Sequence, residues 1–226
     1  MDTARFAVNC SILFTELPLL ERPAAARAAG FAAVEFWWPF DTHLPGDAEV
    51  DAFERAIRDA GVQLIGLNFA AGDMPGGDRG LVSWPQRSLE FRDNIAVTLG
   101  IGERLGCRGF NAPYGNRIEG VSPQDQDDLA AENLALAATA AGSFGGVVLV
   151  EPVSGADRYP LRTAADAVAV IERPERTRHR GDPGRPAPRR ARRGGLCRLD
   201  RAGVQARPQY GGELRLDPLT APRSTS

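Results

Sequence analysis

Lysine is absent from all 226 residues, so arginine carries every fixed positive charge. An Arg-, Ala-, Gly- and Pro-rich chain of this kind points to GC-rich coding rather than to a physical demand. Cysteine occurs only at Cys10, Cys107 and Cys197, an odd number without C-x-x-C spacing, which argues against a disulfide framework or a zinc knuckle. No stretch approaches the ~18 apolar residues of a membrane span. The first residues also lack a basic segment leading into an apolar one. A soluble, cytoplasmic protein with no membrane partner is therefore expected. Glycine is missing from Asn9 to Ala29, where a dinucleotide-binding fold would place G-x-G-x-x-G behind its first strand. A nucleotide cofactor is not expected.

What is present divides unevenly. Residues 1–171 hold 13 Arg against 23 Asp and Glu, a net charge of −10, and residues 172–226 hold 14 Arg against 6, a net charge of +8. All ten Phe, all three Trp and every Ile precede residue 172. The first part has the material of a core. The second is an Arg-, Pro- and Gly-rich tail expected to be disordered. Its Arg189-Arg190 and Arg192-Arg193 pairs invite a nucleic-acid reading, but the segment lacks interleaved aromatic platforms, and nucleic acid is not the expected partner.

The first part alternates short β-rich runs with helical patterns, the order of a parallel α/β sheet. Strands are predicted at Phe6–Asn9, Ala33–Phe36, Gln63–Asn68, Gly109–Asn111 and Val147–Glu151. Helices are predicted at Leu19–Ala29, Ala48–Ala60, Ser88–Leu105, Pro123 to about Ala141, and Ala164–Ile171. Val50, Phe53, Ile57 and Ala60 recur at helical spacing. Ser122-Pro123 is a helix start, a capping hydroxyl followed by proline at the first position. Gly100 and Gly102 weaken the last turns of the third helix. Five βα units of about 34 residues extrapolate to the size of a TIM (β/α)8 barrel of roughly 250 residues. The expected fold is an incomplete barrel of that type.

Barrel chemistry gathers at the carboxyl ends of the strands. Those positions hold Asn9, Glu35, Asn68, Asn111 and Glu151. Glu151 closes an otherwise apolar run, where a bare carboxylate costs several kcal/mol and so calls for a cation or another partner. A carboxylate beside a divalent metal suits aldose–ketose isomerisation, since the metal polarises neighbouring oxygens while the carboxylate moves a proton through an enediolate. Arg79 and Arg117, in loops after the third and fourth strands, are candidates for meeting a substrate carboxylate. His43, after the second strand, is a candidate substrate contact.

Phe6-Ala7-Val8-Asn9-Cys10-Ser11 with Phe14-Thr15-Glu16, Val34-Glu35-Phe36, Leu67-Asn68 before Gly72-Asp73 and Gly77-Asp78-Arg79-Gly80, Glu90-Phe91-Arg92-Asp93, and Glu151-Pro152-Val153-Ser154 resemble, in order and spacing, the hydroxypyruvate isomerases. That resemblance implies interconversion of hydroxypyruvate and tartronate semialdehyde with a divalent metal, magnesium or manganese, on a small hydroxy-oxo acid. A 2-oxo-tetronate or other sugar isomerase of the same scaffold, or a non-catalytic remnant, is the alternative. Homo-oligomer formation is left open. The resemblance makes Glu151 both a metal ligand and a catalytic group, and casts Asn68, Asn111 and Arg79 as substrate contacts. A second catalytic carboxylate is implied on a late strand. Glu213, in Tyr210-Gly211-Gly212-Glu213-Leu214, is its candidate, although it stands 62 residues beyond Glu151, closer than three βα units allow.

The resemblance stops at Ile171. Strands six and seven of the family cannot be placed in the tail. Gly184-Arg185-Pro186-Ala187 read one base later permits Ala-Asp-Leu, as in the family's aspartate-bearing strand, and a displaced reading frame would account for the tail.

Overall fold

Short apolar runs that are buried on both faces form parallel strands, and the amphipathic stretches between them form the covering helices. The computed structural model describes residues 6–173 and the backbone of 204–206. Its single sheet runs in chain order: β1 (Ala7–Asn9), β2 (Ala33–Phe36), β3 (Gln63–Asn68), β4 (Gly109–Asn111), β5 (Val147–Val150) and β6 (Val204–Ala206). Every neighbouring pair is parallel. Among the described residues five α-helices lie between them: α1 (Arg22–Ala28), α2 (Asp47–Ala60), α3 (Ser88–Leu105), α4 (Pro123–Gly142) and α5 (Ala164–Ile171). This is the expected parallel α/β order, with no ladder joining β1 to β6 among the described residues.

Helix packing follows from sequence. Val50, Phe53 and Ile57 of α2 are buried, each contributing about 1.5–3 kcal/mol by leaving water. Phe53 meets Phe36 of β2 edge-on at 5.1 Å. Glu54 is also buried, and its carboxylate takes hydrogen bonds from Arg104 Nε at 2.6 Å and Arg58 Nη2 at 2.8 Å, tying α2 to α3. Such a buried charge is tolerated because both oxygens are paired. Ser122 caps α4 by accepting from the Asp125 amide, and Thr163 does the same for α5 through Asp166.

Three expectations need correction. Residues Leu19–Glu21 make a 3-10 turn before α1 begins, because Pro23 can only enter an α-helix in its first turn. The glycines near the end of α3 do not fray it. A side chain at Gly102 would stand 2.3 Å from the ring of Phe110, so the glycine is what lets β4 pack beneath the helix. Past Ile171 no strand was expected, yet β6 pairs with β5 in the register Val148↔Val204, Leu149↔Gln205 and Val150↔Ala206. Three residues carry no readable alternation; the exposed edge of β5 supplies the pairing groups instead. The remainder of the expected tail, with Glu213, Cys197 and the paired arginines, lies outside the described residues.

Candidate active site

Register determines which strand-end residues meet. Asn68 pairs with Asn111, and Asn111 with Leu149. Paired residues share a face and successive residues alternate, so Glu151, two residues beyond Leu149, comes to the same side. Asn111 Nδ2 donates to Glu151 Oε2 at 3.0 Å. Asn111 is 4% exposed, and its Oδ1 is buried without a hydrogen-bond partner, a costly state that a ligand donor or a cation would relieve.

Asn68, Arg79, Asn111 and Glu151 line one cavity of about 620 Å³, with Trp37, Met74, Pro75 and Tyr159 among the other residues of its walls. The structure thus brings together all four described residues expected at the site. Arg79 is anchored through Nη1 to the carbonyls of Asp78 at 2.7 Å and Met74 at 3.0 Å. Asn68 has no side-chain hydrogen bond among the described residues.

Other candidates go elsewhere. Asn9 Nδ2 donates to Glu35 Oε1 at 3.0 Å, and the pair closes the β1–β2 corner outside this cavity's lining. Arg117 is held by Asp127 Oδ1 at 2.7 Å and by the Pro123 carbonyl, and stacks over Tyr114. His43 lines an adjoining cavity, with Nδ1 3.7 Å from Glu90 Oε2.

Tyr159 was not anticipated. Its buried hydroxyl donates to the Glu151 carbonyl at 3.0 Å and accepts from the Tyr114 amide at 3.1 Å. Burial raises its pKa well above the ordinary tyrosine value, so it stays a neutral donor. Tyr114 likewise donates to Asp127. The loops after β3 and β4 are stitched by a Gly80↔Tyr114 bridge and by the Ser83 amide donating to the Tyr114 carbonyl at 2.9 Å. Gly80 has φ +127°, and a side chain there would meet the Pro113 carbonyl oxygen at 1.9 Å. No pattern of polar or apolar residues announces these tyrosines, because they sit in irregular loops.

A parallel α/β sheet whose polar strand ends converge on one cavity is the TIM-barrel class of architecture. The chain belongs to the xylose isomerase-like TIM barrel family, whose model matches residues 23–180. It is 58% identical over 173 residues to a putative hydroxypyruvate isomerase of Streptomyces coelicolor, covering 75% of this chain and 62% of that protein. Identity to a 2-oxo-tetronate isomerase of Cupriavidus necator is 36% over 176 residues, covering 74% and 63%. The crystal structure of an AP endonuclease, family 2, from Brucella melitensis superposes with a TM-score of 0.68 at 28% identity, over 90% of this chain and 67% of that one. The chain therefore spans less than two thirds of the length of these two isomerases. Among the described residues, no helix is long and apolar enough to cross a membrane.

Proposed function

We propose that this chain carries the first part of an isomerase that interconverts hydroxypyruvate and 2-hydroxy-3-oxopropanoate (tartronate semialdehyde). The observation that carries this reading is the Glu151 carboxylate at the carboxyl end of β5, held by Asn111 at 3.0 Å in a cavity shared with Asn68 and Arg79. The reaction moves a proton from the hydroxymethyl carbon to the neighbouring carbonyl carbon through an enediolate, while a hydroxyl proton passes between their oxygens. Atoms balance without a redox cofactor or nucleotide. Glu151 moves the carbon-bound proton. Asn111 fixes the carboxylate's orientation. Arg79 pairs with the substrate carboxylate, and Asn68 offers its amide to a substrate hydroxyl.

A divalent ion, magnesium or manganese, fits the described donors in part. Glu151 supplies a hard carboxylate oxygen, and Asn111 Oδ1 a buried acceptor lacking a partner. Among the described residues no three His, Cys, Asp or Glu groups gather, so further ligands would have to come from chain after β5. When bound, the ion polarises the carbonyl and hydroxyl oxygens. Glu213 is the candidate second carboxylate, and 1–171 the barrel part preceding a distinct tail. The Cupriavidus relative supports a longer, four-carbon acid as the alternative substrate.

Incubating the purified 226-residue protein with hydroxypyruvate and manganese, and following both isomers by NMR, tests this reading. Turnover is expected at a small fraction of that of a full-length relative, and none in Glu151→Gln. Turnover that survives Glu151→Gln or removal of metal would overturn the assignment.

A further inference from the structure

Arg79 enters the Glu151 cavity from the loop between β3 and α3. Its Nη1 carries two hydrogens and gives them to two carbonyls of that same loop, those of Met74 and Asp78. Among the described residues Nε and Nη2 make no hydrogen bond. A guanidinium can meet a carboxylate with a two-pronged edge, either Nη1–Nη2 or Nη2–Nε. With the hydrogens of Nη1 spent, the Nη2–Nε edge remains, and its direction is the direction of the loop.

The loop is held through Asp78. Its amide donates to the Asp73 carbonyl at 2.9 Å, and its Oδ2 accepts from the Asp73 amide at 2.8 Å, which closes the loop on itself. The same Oδ2 accepts from Arg87 Nη1 at 2.9 Å. Arg87 immediately precedes α3, donates to both oxygens of Glu90 at 2.9 and 2.7 Å, and lies over the Trp84 ring. Asp78 thus fastens the Arg79 loop to the start of a helix. A side chain at Gly72 would stand 2.4 Å from Asp78 Oδ2, so the backbone is bare where the carboxylate crosses it. The outer tip has a more exposed tie, Asn116 Nδ2 donating to the Gly77 carbonyl at 2.9 Å. Neither Asp78 nor Arg87 lines the Glu151 cavity.

We propose that Asp78 is a positioning residue: tied to Arg87, it presents the Nη2–Nε edge of Arg79 to the Glu151 cavity and so selects ligands that end in a carboxylate over neutral ones of the same length. Under the isomerase reading above, on which this role rests for its ligand, that carboxylate belongs to hydroxypyruvate. A hydroxymethyl group in its place has no charge to offer the edge, and charge-assisted hydrogen bonds are roughly twice as strong as neutral ones.

The test begins without ligand, by side-chain nitrogen NMR of the 226-residue protein. The Arg79 guanidinium, identified by the signals that Arg79→Lys removes, should show two separate Nη resonances, because rotation about Cζ–Nη1 breaks two hydrogen bonds. Asp78→Ala should merge them, and Asp78→Asn, which keeps an acceptor oxygen, should preserve them. Arg87→Gln breaks the same tie from the helix side, should also merge them, and decides the matter if Asp78→Ala does not fold. Merged signals in the wild type, or separate signals in a folded Asp78→Ala or Arg87→Gln, overturn the role. Calorimetric titration with hydroxypyruvate and its neutral counterpart dihydroxyacetone is the second readout. Asp78→Ala should weaken hydroxypyruvate about tenfold, the loss of one charge-assisted bond, and leave dihydroxyacetone unchanged. In an Arg79→Ala background it should cost nothing further. Equal weakening of both ligands, or additive losses in the double variant, overturns the role as well. A wild type that binds no hydroxypyruvate, with Arg79 signals that merge in Asp78→Ala, leaves the positioning standing and removes the isomerase reading.

Discussion

Replacing Tyr159 by Phe removes one oxygen and keeps the ring. That oxygen makes two bonds, to the Glu151 carbonyl at 3.0 Å and from the Tyr114 amide at 3.1 Å, in a residue only 1% exposed. Neither partner gains water when the hydroxyl goes. Each buried group left unsatisfied costs about 1–3 kcal/mol, so a loss of about 2–6 kcal/mol is expected, a sizeable share of a typical domain's 5–15 kcal/mol. Equilibrium urea unfolding followed by tryptophan emission measures it, with the denaturant slope unchanged if only the native state is affected. Hydrogen exchange at the Tyr114 amide should accelerate in the variant. Burial raises the tyrosine's folded pKa, so its contribution is complete below about pH 10 and declines as pH rises further. The wild type should therefore lose stability in alkali more steeply than Tyr159→Phe. A loss under about 1 kcal/mol, with Tyr114 still protected, would refute the view that this hydroxyl holds the Glu151 turn.

Gly80→Ala should destabilise by about 3 kcal/mol or more, since a side chain there meets the Pro113 backbone at 1.9 Å. Gly120→Ala, at φ +78° with open space around it, should cost only about 1–2 kcal/mol of backbone strain; equal losses in paired thermal melts would remove the close-approach argument. Burial raises the Cys107 thiol to about 11 from 9.0. Because the folded value is the higher, its stabilisation is complete below pH 9 and falls by about 1.4 kcal/mol per pH unit toward 11. Cys107→Ala should flatten that slope in unfolding curves collected across the window, and an unchanged slope would reject burial as the cause.

Much of the framework was legible because strands and helices here obey simple periods. Gln63–Asn68 and Gly109–Asn111 occur with the boundaries that β-propensity and flanking glycines indicate. Glu151 was legible as the one charge closing an apolar run. Local pattern could not reveal which strand-end polar residues would meet. Asn9 and Glu35 look like Asn68 and Asn111 in sequence, yet register joins them to each other. Arg117 was indistinguishable from Arg79 until Asp127 was seen to hold it. Tyr159 is recruited by tertiary contact alone, and β6 by an edge rather than by its own residues.

The register shift between Val34 and Glu35, which sets Glu35 opposite Gly66, has a wider consequence. Asn9, Glu35 and Gly66 stand level with one another, while Asn68, Asn111 and Leu149 stand two residues further along the strands. At about 3.3 Å per residue, the second tier lies roughly 6–7 Å above the first. The mouth of the sheet is thus a staircase climbing from β1 to β5. A small ligand resting against Glu151 stands on the upper step, and the Asn9–Glu35 pair stands a step lower, outside the lining of that cavity. The lower step can therefore change without disturbing Glu151.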